Sequence, residues 1–490
     1  SPKRRWSLKS LLSNRKVKYG SIATAITAVG IAIVILLNVV VGFIGNRVNL
    51  KFDLTREKSY VLSEDTTGFI KGVEKKIDIY VLTKEANLQN QGELLTQIYE
   101  LIMMYPRVSG NISVQFRDII SNPSLANNWP NEELNEMDVV VQSGENYQVV
   151  PFASLYTTES DYYTQTETIT AINVETELTA AIVNMVVEKK TEIAIVTGHG
   201  EAGTEGLTSV LSKNACNFTE VNILLNGIPK STDILLISKP TSDYSSTEID
   251  RIEEFLLNDG KMGKNLFYLA APAQQTLPEL EALLAQWGIS VGTGAVYETQ
   301  AGRYYQYPLY PISDYTQEEY AGDFAAKQKY FLAGNTRPLF VAFEEKGSIT
   351  TESLLSFAAT AGVVPNDAPE DFDLQSGLRD DIKLMILSTN VAYEGTTPYY
   401  SRIMACGSVD AFLEAILATT SFSNGDYLMN LLNGITERPE TITVLPKNIE
   451  TLTMEIDGGT ANILGILFGI ALPLAIGAVC LVVFLRRRYL

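Results

Sequence analysis

Residues 175–201 read ETELTAAIVNMVVEKKTEIAIVTGHGE, and this stretch decides the fold. Its first part, Glu175–Lys189, sets Leu178, Ile182 and Met185 at helical spacing, which predicts an amphipathic helix. Its second part, Glu192–Thr197, is apolar, β-branched and of strand length, and Gly-His-Gly-Glu follows as a loop. The alternation continues downstream. Helices are expected at Gly206–Asn214, Thr247–Asn258 and Pro278–Trp287, and strands at Thr219–Leu225, Asp233–Ser238 and Asn265–Ala270. Such alternation implies a doubly wound, mainly parallel sheet. Pro338–Phe343, Lys383–Leu387 and Arg402–Ala405 read as further strands, whereas 344–380 reads as loop-rich.

Upstream of that stretch lies a smaller α/β pattern. Ser63 is an N-cap candidate with Glu64 and Asp65 in the first turn, where they complement the helix dipole. Ile77–Leu82 alternates as a strand, Glu93–Met104 has helical periodicity, and Pro106 closes it. Asn111–Ile120 and a hairpin over Met137–Val150, turning at SGEN, complete a small α/β domain of thioredoxin-like layout. It contains no cysteine, which excludes CxxC redox chemistry.

Farther out are two apolar stretches. Residues 20–45 contain no Asp, Glu, Lys or Arg, and as a helix would run roughly 39 Å, enough for a hydrocarbon core of about 30 Å. A cleaved signal peptide is the competing reading. Its apolar region is typically about 7–15 residues, and no small-x-small site stands before Arg47, so a retained helix is expected. Residues 461–485 form the second expected span, with Ile463–Leu485 uninterrupted and Arg486–Arg488 as its flank. Ten of the chain's 38 bases lie in the termini, at 1–19 and 486–490, where none of its 57 acids falls. The stretch between the spans therefore holds 28 bases against 57 acids, a net charge of −29. By the positive-inside rule both termini are cytoplasmic and the acidic region is outside. Such a surface repels phosphate backbones, so nucleic acid is not an expected partner.

The expected organisation is a basic cytoplasmic segment at 1–19, span 20–45, a small extracellular α/β domain at 46–172, a linking helix at 173–190, a larger extracellular α/β domain at 191–457, span 461–485 and a tail at 486–490. Trp6, Leu8, Leu11 and Leu12 among the first bases suit a helix in the inner-leaflet interface of the lipid bilayer, or an ordinary positive flank. Gly465, Gly469 and Gly477 recur at multiples of four with Pro473 in the missing step, a smooth face on which another helix could pack. Glycine is also simply common in membrane helices.

The chemistry-bearing residues are few. GKMGKN at 260–265 lacks the spacing and the Ser or Thr of a phosphate loop, and no G-x-S-x-G elbow follows any expected strand. Cys406 lies in MACGS without flanking glycines. His199 is the sole histidine, so any Ser/Cys–His mechanism has to use it, and with Glu201 it occupies the loop where open sheets bind ligands. With no nucleophile beside it in sequence, a structural loop histidine is the expectation. Three cysteines and one histidine leave little for a disulfide framework or a zinc site, and whether Cys216 pairs with Cys406 stays open. No cofactor or metal site is expected. Tyr304, Tyr305, Tyr307 and Tyr310, with Pro308 and Pro311, either meet a glycan or protein partner or pack a long excursion onto the domain.

Several segments together resemble one family: FDLTREKSYVLSEDTT at 52–67, the stretch 175–201, YYQYPLYPI at 304–312, SRIMACGSVDAF at 401–412 and NGDYLMNLLNGITER at 424–438. In this order between two flanking spans they look like the GldG-like ABC-transporter auxiliary proteins, first associated with gliding motility in some bacteria. The resemblance extends over nearly the whole chain and implies permease and ATPase partners on other chains. It also implies an outer domain like a class I glutamine amidotransferase without its catalytic machinery. The chain departs from the commoner Gly-Asp-Ser-Asp pattern at Cys406–Asp410. The expectation is a non-enzymatic, two-span subunit in a bacterial cell membrane; the alternatives are a stand-alone tethered binding or sensing protein and a surface hydrolase.

Overall fold

The computed structural model describes residues 61–436, except 90, 131, 161–166, 370, 378 and 420, together with 443–444. The described residues from Leu62 onward belong to one compact unit. The expected spans at 20–45 and 461–485, with Gly465, Gly469, Pro473 and Gly477, lie outside the described residues. Among the described residues no helix is long and apolar enough to cross a membrane.

Helix α1 (Glu64–Gly72) begins at Ser63, whose hydroxyl accepts from the Thr66 N–H at 3.2 Å. Strand β1 (Ile77–Val81), helix α2 (Glu93–Ile102), strand β2 (Ile112–Phe116) and the hairpin β3 (Val139–Ser143) and β4 (Asn146–Val150) follow. The four strands form one sheet in the order β2-β1-β3-β4. β1 and β2 run parallel, and the other pairs are antiparallel. Ile77, Ile79 and Val81 alternate into a core shared with Ile98 and Ile102 of α2.

Helix α3 (Val174–Val186) departs from its expected single apolar face. Val174, Leu178, Ala181 and Ile182 enter the small-sheet core, while Ala180 and Val183 pack against Ala215 and Val444. Thr179–Val183 carries no charge, so the helix has no polar side to keep in water there. It is clamped at its far end as well, since the Asn184 amide donates to the Ser212 carbonyl and accepts from the Ala215 N–H.

The larger sheet is mixed. Its parallel half includes β5 (Thr191–Val196), β6 (Cys216–Val221), β7 (Ile234–Ser238) and β8 (Asn265–Leu269), with helix α4 (Glu205–Ser212) after β5, α5 (Ser246–Leu257) after β7 and α6 (Pro278–Gln286) after β8. Strands β9 (Ile349–Ser356), β10 (Lys383–Glu394) and β11 (Thr397–Cys406) and helix α7 (Asn424–Ile435) follow, and five shorter strands bring the sheet to twelve. The order β9-β10-β11-β8-β7-β5-β6 is parallel from β11 to β6 and antiparallel from β11 to β9. Successive strand residues serve opposite faces. Ile234, Leu236, Phe267 and Leu269 meet α4 and α7, whereas Leu235, Ile237, Leu266 and Tyr268 meet α5 and α6.

Two expectations are corrected here. The sheet is not mainly parallel, because the region 344–380 holds β9, paired with β10 from Ile349 to Ser356. ITTESLLS hides this strand by putting polar Thr351 inside, where its hydroxyl donates to the Trp287 carbonyl at 2.8 Å. Nor is Thr219–Leu225 one strand. β6 ends at Val221, and Asn222 caps a short turn of helix at Ile223–Asn226 by accepting from the Leu225 N–H.

Candidate functional site

Across the sheet the parallel strands lie in the order β6-β5-β7-β8-β11, whereas in the chain β6 follows β5 and β7 follows β6, so the winding reverses between β5 and β7. The crevice beyond the carboxyl ends of those two strands is where doubly wound sheets bind ligands. Here it is built from the loop 197–204 after β5 and the segment 239–245 after β7. Gly198 and Gly200 sit at φ +120° and +75°, and a Cβ on Gly200 would lie 2.1 Å from Thr241 Oγ1. The glycines therefore let the two loops touch. The His199 carbonyl joins them, accepting from the N–H groups of Thr241 (2.8 Å) and Ser242 (3.1 Å) and from the Thr241 hydroxyl (3.1 Å).

The side chains close the same crevice. His199 Nε2 lies 2.9 Å from Glu248 Oε1 on α5, and the two are 15% and 4% exposed. The other oxygen of Glu248 accepts from the Ser245 N–H and hydroxyl, completing a capping box at the start of α5. Burial raises the Glu248 pKa, but the bonds from His199 and Ser245 outweigh it and hold the carboxyl below its usual range. Glu201 accepts from the His199 N–H and from the Tyr244 hydroxyl, both at 2.7 Å. Burial and the Glu201 carboxylate push the Tyr244 pKa up, so that hydroxyl stays a donor. Its ring lies 4.1 Å from the imidazole.

The structure thus brings His199 and Glu201 together and adds Tyr244, Glu248 and Ser242, which sequence reasoning missed. Ser242 Oγ is 3.5 Å from His199 Nδ1, so a hydroxyl does accompany the histidine, contrary to expectation. The Ser245-x-x-Glu248 spacing is a capping-box signal legible in sequence, but nothing in sequence ties it to a loop 49 residues earlier. Cys216 and Cys406 are both buried and form no disulfide with each other. Burial pushes the Cys406 thiol up to about 12, which leaves it without nucleophilic thiolate at neutral pH. Among the described residues no group of three His, Cys, Asp or Glu could hold a metal ion.

The tyrosine segment divides. Tyr297 and Tyr320 are buried, and the Tyr305 ring meets Phe422 edge-on at 5.2 Å. Tyr304 bridges to Pro311, and the backbone turns back on itself through bonds from the Tyr310 N–H to the Tyr307 carbonyl and from the Tyr305 N–H to the Tyr310 carbonyl. Tyr305 and Tyr307 stay exposed. This segment anchors an excursion with part of its rings and presents the rest to solvent.

Residues 56–156 match a family described as a domain of unknown function (DUF7088). No curated protein matches the chain. Among solved structures, the mmIFT52 N-terminal domain is similar at 14% identity and a TM-score of 0.38, over 51% of this chain and 99% of its own. A candidate GMP synthase component from Thermoplasma acidophilum is similar at 12% identity and a TM-score of 0.26, over 51% of this chain and 96% of its own.

Proposed function

We propose that this chain is a non-catalytic, membrane-anchored auxiliary subunit of a bacterial ABC transporter, its acidic region standing outside the cell between two spans. In this reading the small domain is thioredoxin-like, the larger one is an amidotransferase-like domain without its chemistry, and a permease and an ATPase are its partners. One observation carries the non-catalytic part. The groups gathered at the switch point bond to one another: His199 to Glu248, Glu248 to Ser245, and Glu201 to Tyr244. The segregation of charge around the two apolar stretches supports the anchoring, and the ordered GldG-like segments support the partners.

A surface hydrolase is the second reading, favoured by the Ser242–His199–Glu248 line. Against it, 3.5 Å is the limit of a hydrogen bond, and the Ser242 N–H is spent on the His199 carbonyl rather than free to stabilise an oxyanion. The test is Ser242→Ala in cells, with esterase and amidase screening of the purified chain. The proposal expects transport-dependent growth as in wild type and no activity in either protein. Hydrolysis by wild type that Ser242→Ala abolishes would replace the proposal with the hydrolase.

A further inference from the structure

At the opposite end of the large sheet, beneath the amino ends of β5, β7, β8 and β11, lies a cavity of about 280 Å³. Its described lining includes Lys189, Lys190, Asp233, Asn265, Tyr400 and Arg402. Three cations face one carboxylate there, in a region whose net charge is −29. Asp233 is already engaged, reaching Lys189 at 3.9 Å and accepting from the Glu192 N–H at 3.1 Å. Among the described residues, no carboxylate pairs with Lys190 or Arg402. The Arg402 guanidinium lies 4.8 Å from the Tyr400 ring centroid and donates through Nη1 to the Ile435 carbonyl, which leaves its other donors for a guest.

Asn265 adds an independent sign. It is 4% exposed; its Nδ2 donates to the Asp233 carbonyl at 3.4 Å, and its Oδ1 has no hydrogen-bond partner among the described residues. A buried amide oxygen left unmet costs about 1–3 kcal/mol, a cost that a donor brought to this wall of the cavity would relieve. The volume falls just under the range of about 300–1,000 Å³ usual for small-molecule sites, so the guest is small.

We infer that this cavity binds a small phosphate ester carrying a neighbouring hydroxyl. Lys190 and Arg402 take the phosphate oxygens, and the hydroxyl supplies the donor that Asn265 lacks. The site lies away from the switch-point crevice and does not rest on the transporter reading. Two sources share this chemistry, a soluble sugar or glycerol phosphate and a lipid headgroup.

The experiment titrates the purified full-length chain in detergent with glycerol 3-phosphate by calorimetry. In parallel it measures binding of the chain, reconstituted in nanodiscs, to phosphatidylglycerol vesicles against phosphatidylcholine ones. Saturable binding in either arm, weakened at least tenfold by Lys190→Gln and by Arg402→Gln, supports the site, and the arm that responds names the source. Lys190→Gln keeps the test meaningful if Arg402→Gln loosens the end of α7. Absence of binding in both arms, or binding that neither substitution weakens, overturns the inference. Glu437 and Glu440 follow Thr436 in the chain, so Glu437→Gln/Glu440→Gln is measured alongside. Binding that appears only in that variant means the chain's own carboxylates occupy the cavity, and it too overturns the inference.

Discussion

Arg337 is fully buried, and replacing it with methionine tests how the segment before β9 is tied to α6. Its backbone N–H donates to the Gly407 carbonyl just past β11. Its guanidinium donates to the carbonyls of Gly292 and Gln275 and to Glu281 on α6, the last at 2.9 Å. Arg337→Met keeps most of the volume but strands two carbonyls and a carboxylate that is only 17% exposed. Removing one partner of a buried pair costs about 3–5 kcal/mol. Glu281 also accepts from the Leu277 N–H, which places the expected loss at the lower end, about 3 kcal/mol. Urea unfolding of the purified chain, followed by near-ultraviolet circular dichroism, reads this as a lower midpoint at unchanged slope. Arg337→Met/Glu281→Leu should recover most of the loss, because no stranded charge remains. A cost under about 1 kcal/mol for the single variant would show that the guanidinium is not a structural tie.

Three further outcomes follow from the site and the topology. The carboxyl of Glu248 is held below its usual value of 4.5, so the stability it contributes is present above that pH and is lost as pH falls through the lower, folded value. Glu248→Gln should therefore be less stable than wild type at pH 7, with the gap narrowing in parallel unfolding curves as acid protonates the folded carboxyl; a gap that does not narrow at any acid pH refutes the assignment. Gly200→Ala combines a left-handed φ with a Cβ driven into Thr241, for an expected loss of about 2–3 kcal/mol. Gly395→Ala, at φ +64° with open space around it, should lose only the strain of about 1–2 kcal/mol, and equal losses would remove the packing argument. A cysteine at exposed Glu254 should react with an impermeant thiol reagent in intact cells while one at Ser10 stays silent, since Cys216 and Cys406 are buried; the reverse pattern inverts the topology.

The parallel half of the large sheet was legible in the sequence because its strands are buried on both faces and read as unbroken apolar runs, as in ILLIS and NLFYL. The antiparallel half was not. β9 lies next to β10, so Thr350 and Glu352 face water while Thr351 is buried, and that alternation erases the hydrophobic signal. The elements of the small sheet were legible because a hairpin and a capped helix carry local signals, although the strand expected over Asn111–Ile120 ends at Phe116. At the site, His199 and Glu201 were visible as the polar residues of a Gly-rich loop after a strand. Their partners were not, because Glu248 and Tyr244 reach them only through the crossover from β5 to β7. The basic cavity was equally hidden. Lys190, Asn265 and Arg402 come from three distant segments that meet only when the sheet forms.

Isolation of the untagged native assembly from its membranes, with every component identified by mass spectrometry, measures the proposed role most directly. A permease and an ATPase should accompany the chain in fixed stoichiometry through two purification steps. A chain that purifies alone, or with soluble partners only, would contradict the transporter role and leave a tethered binding protein in its place.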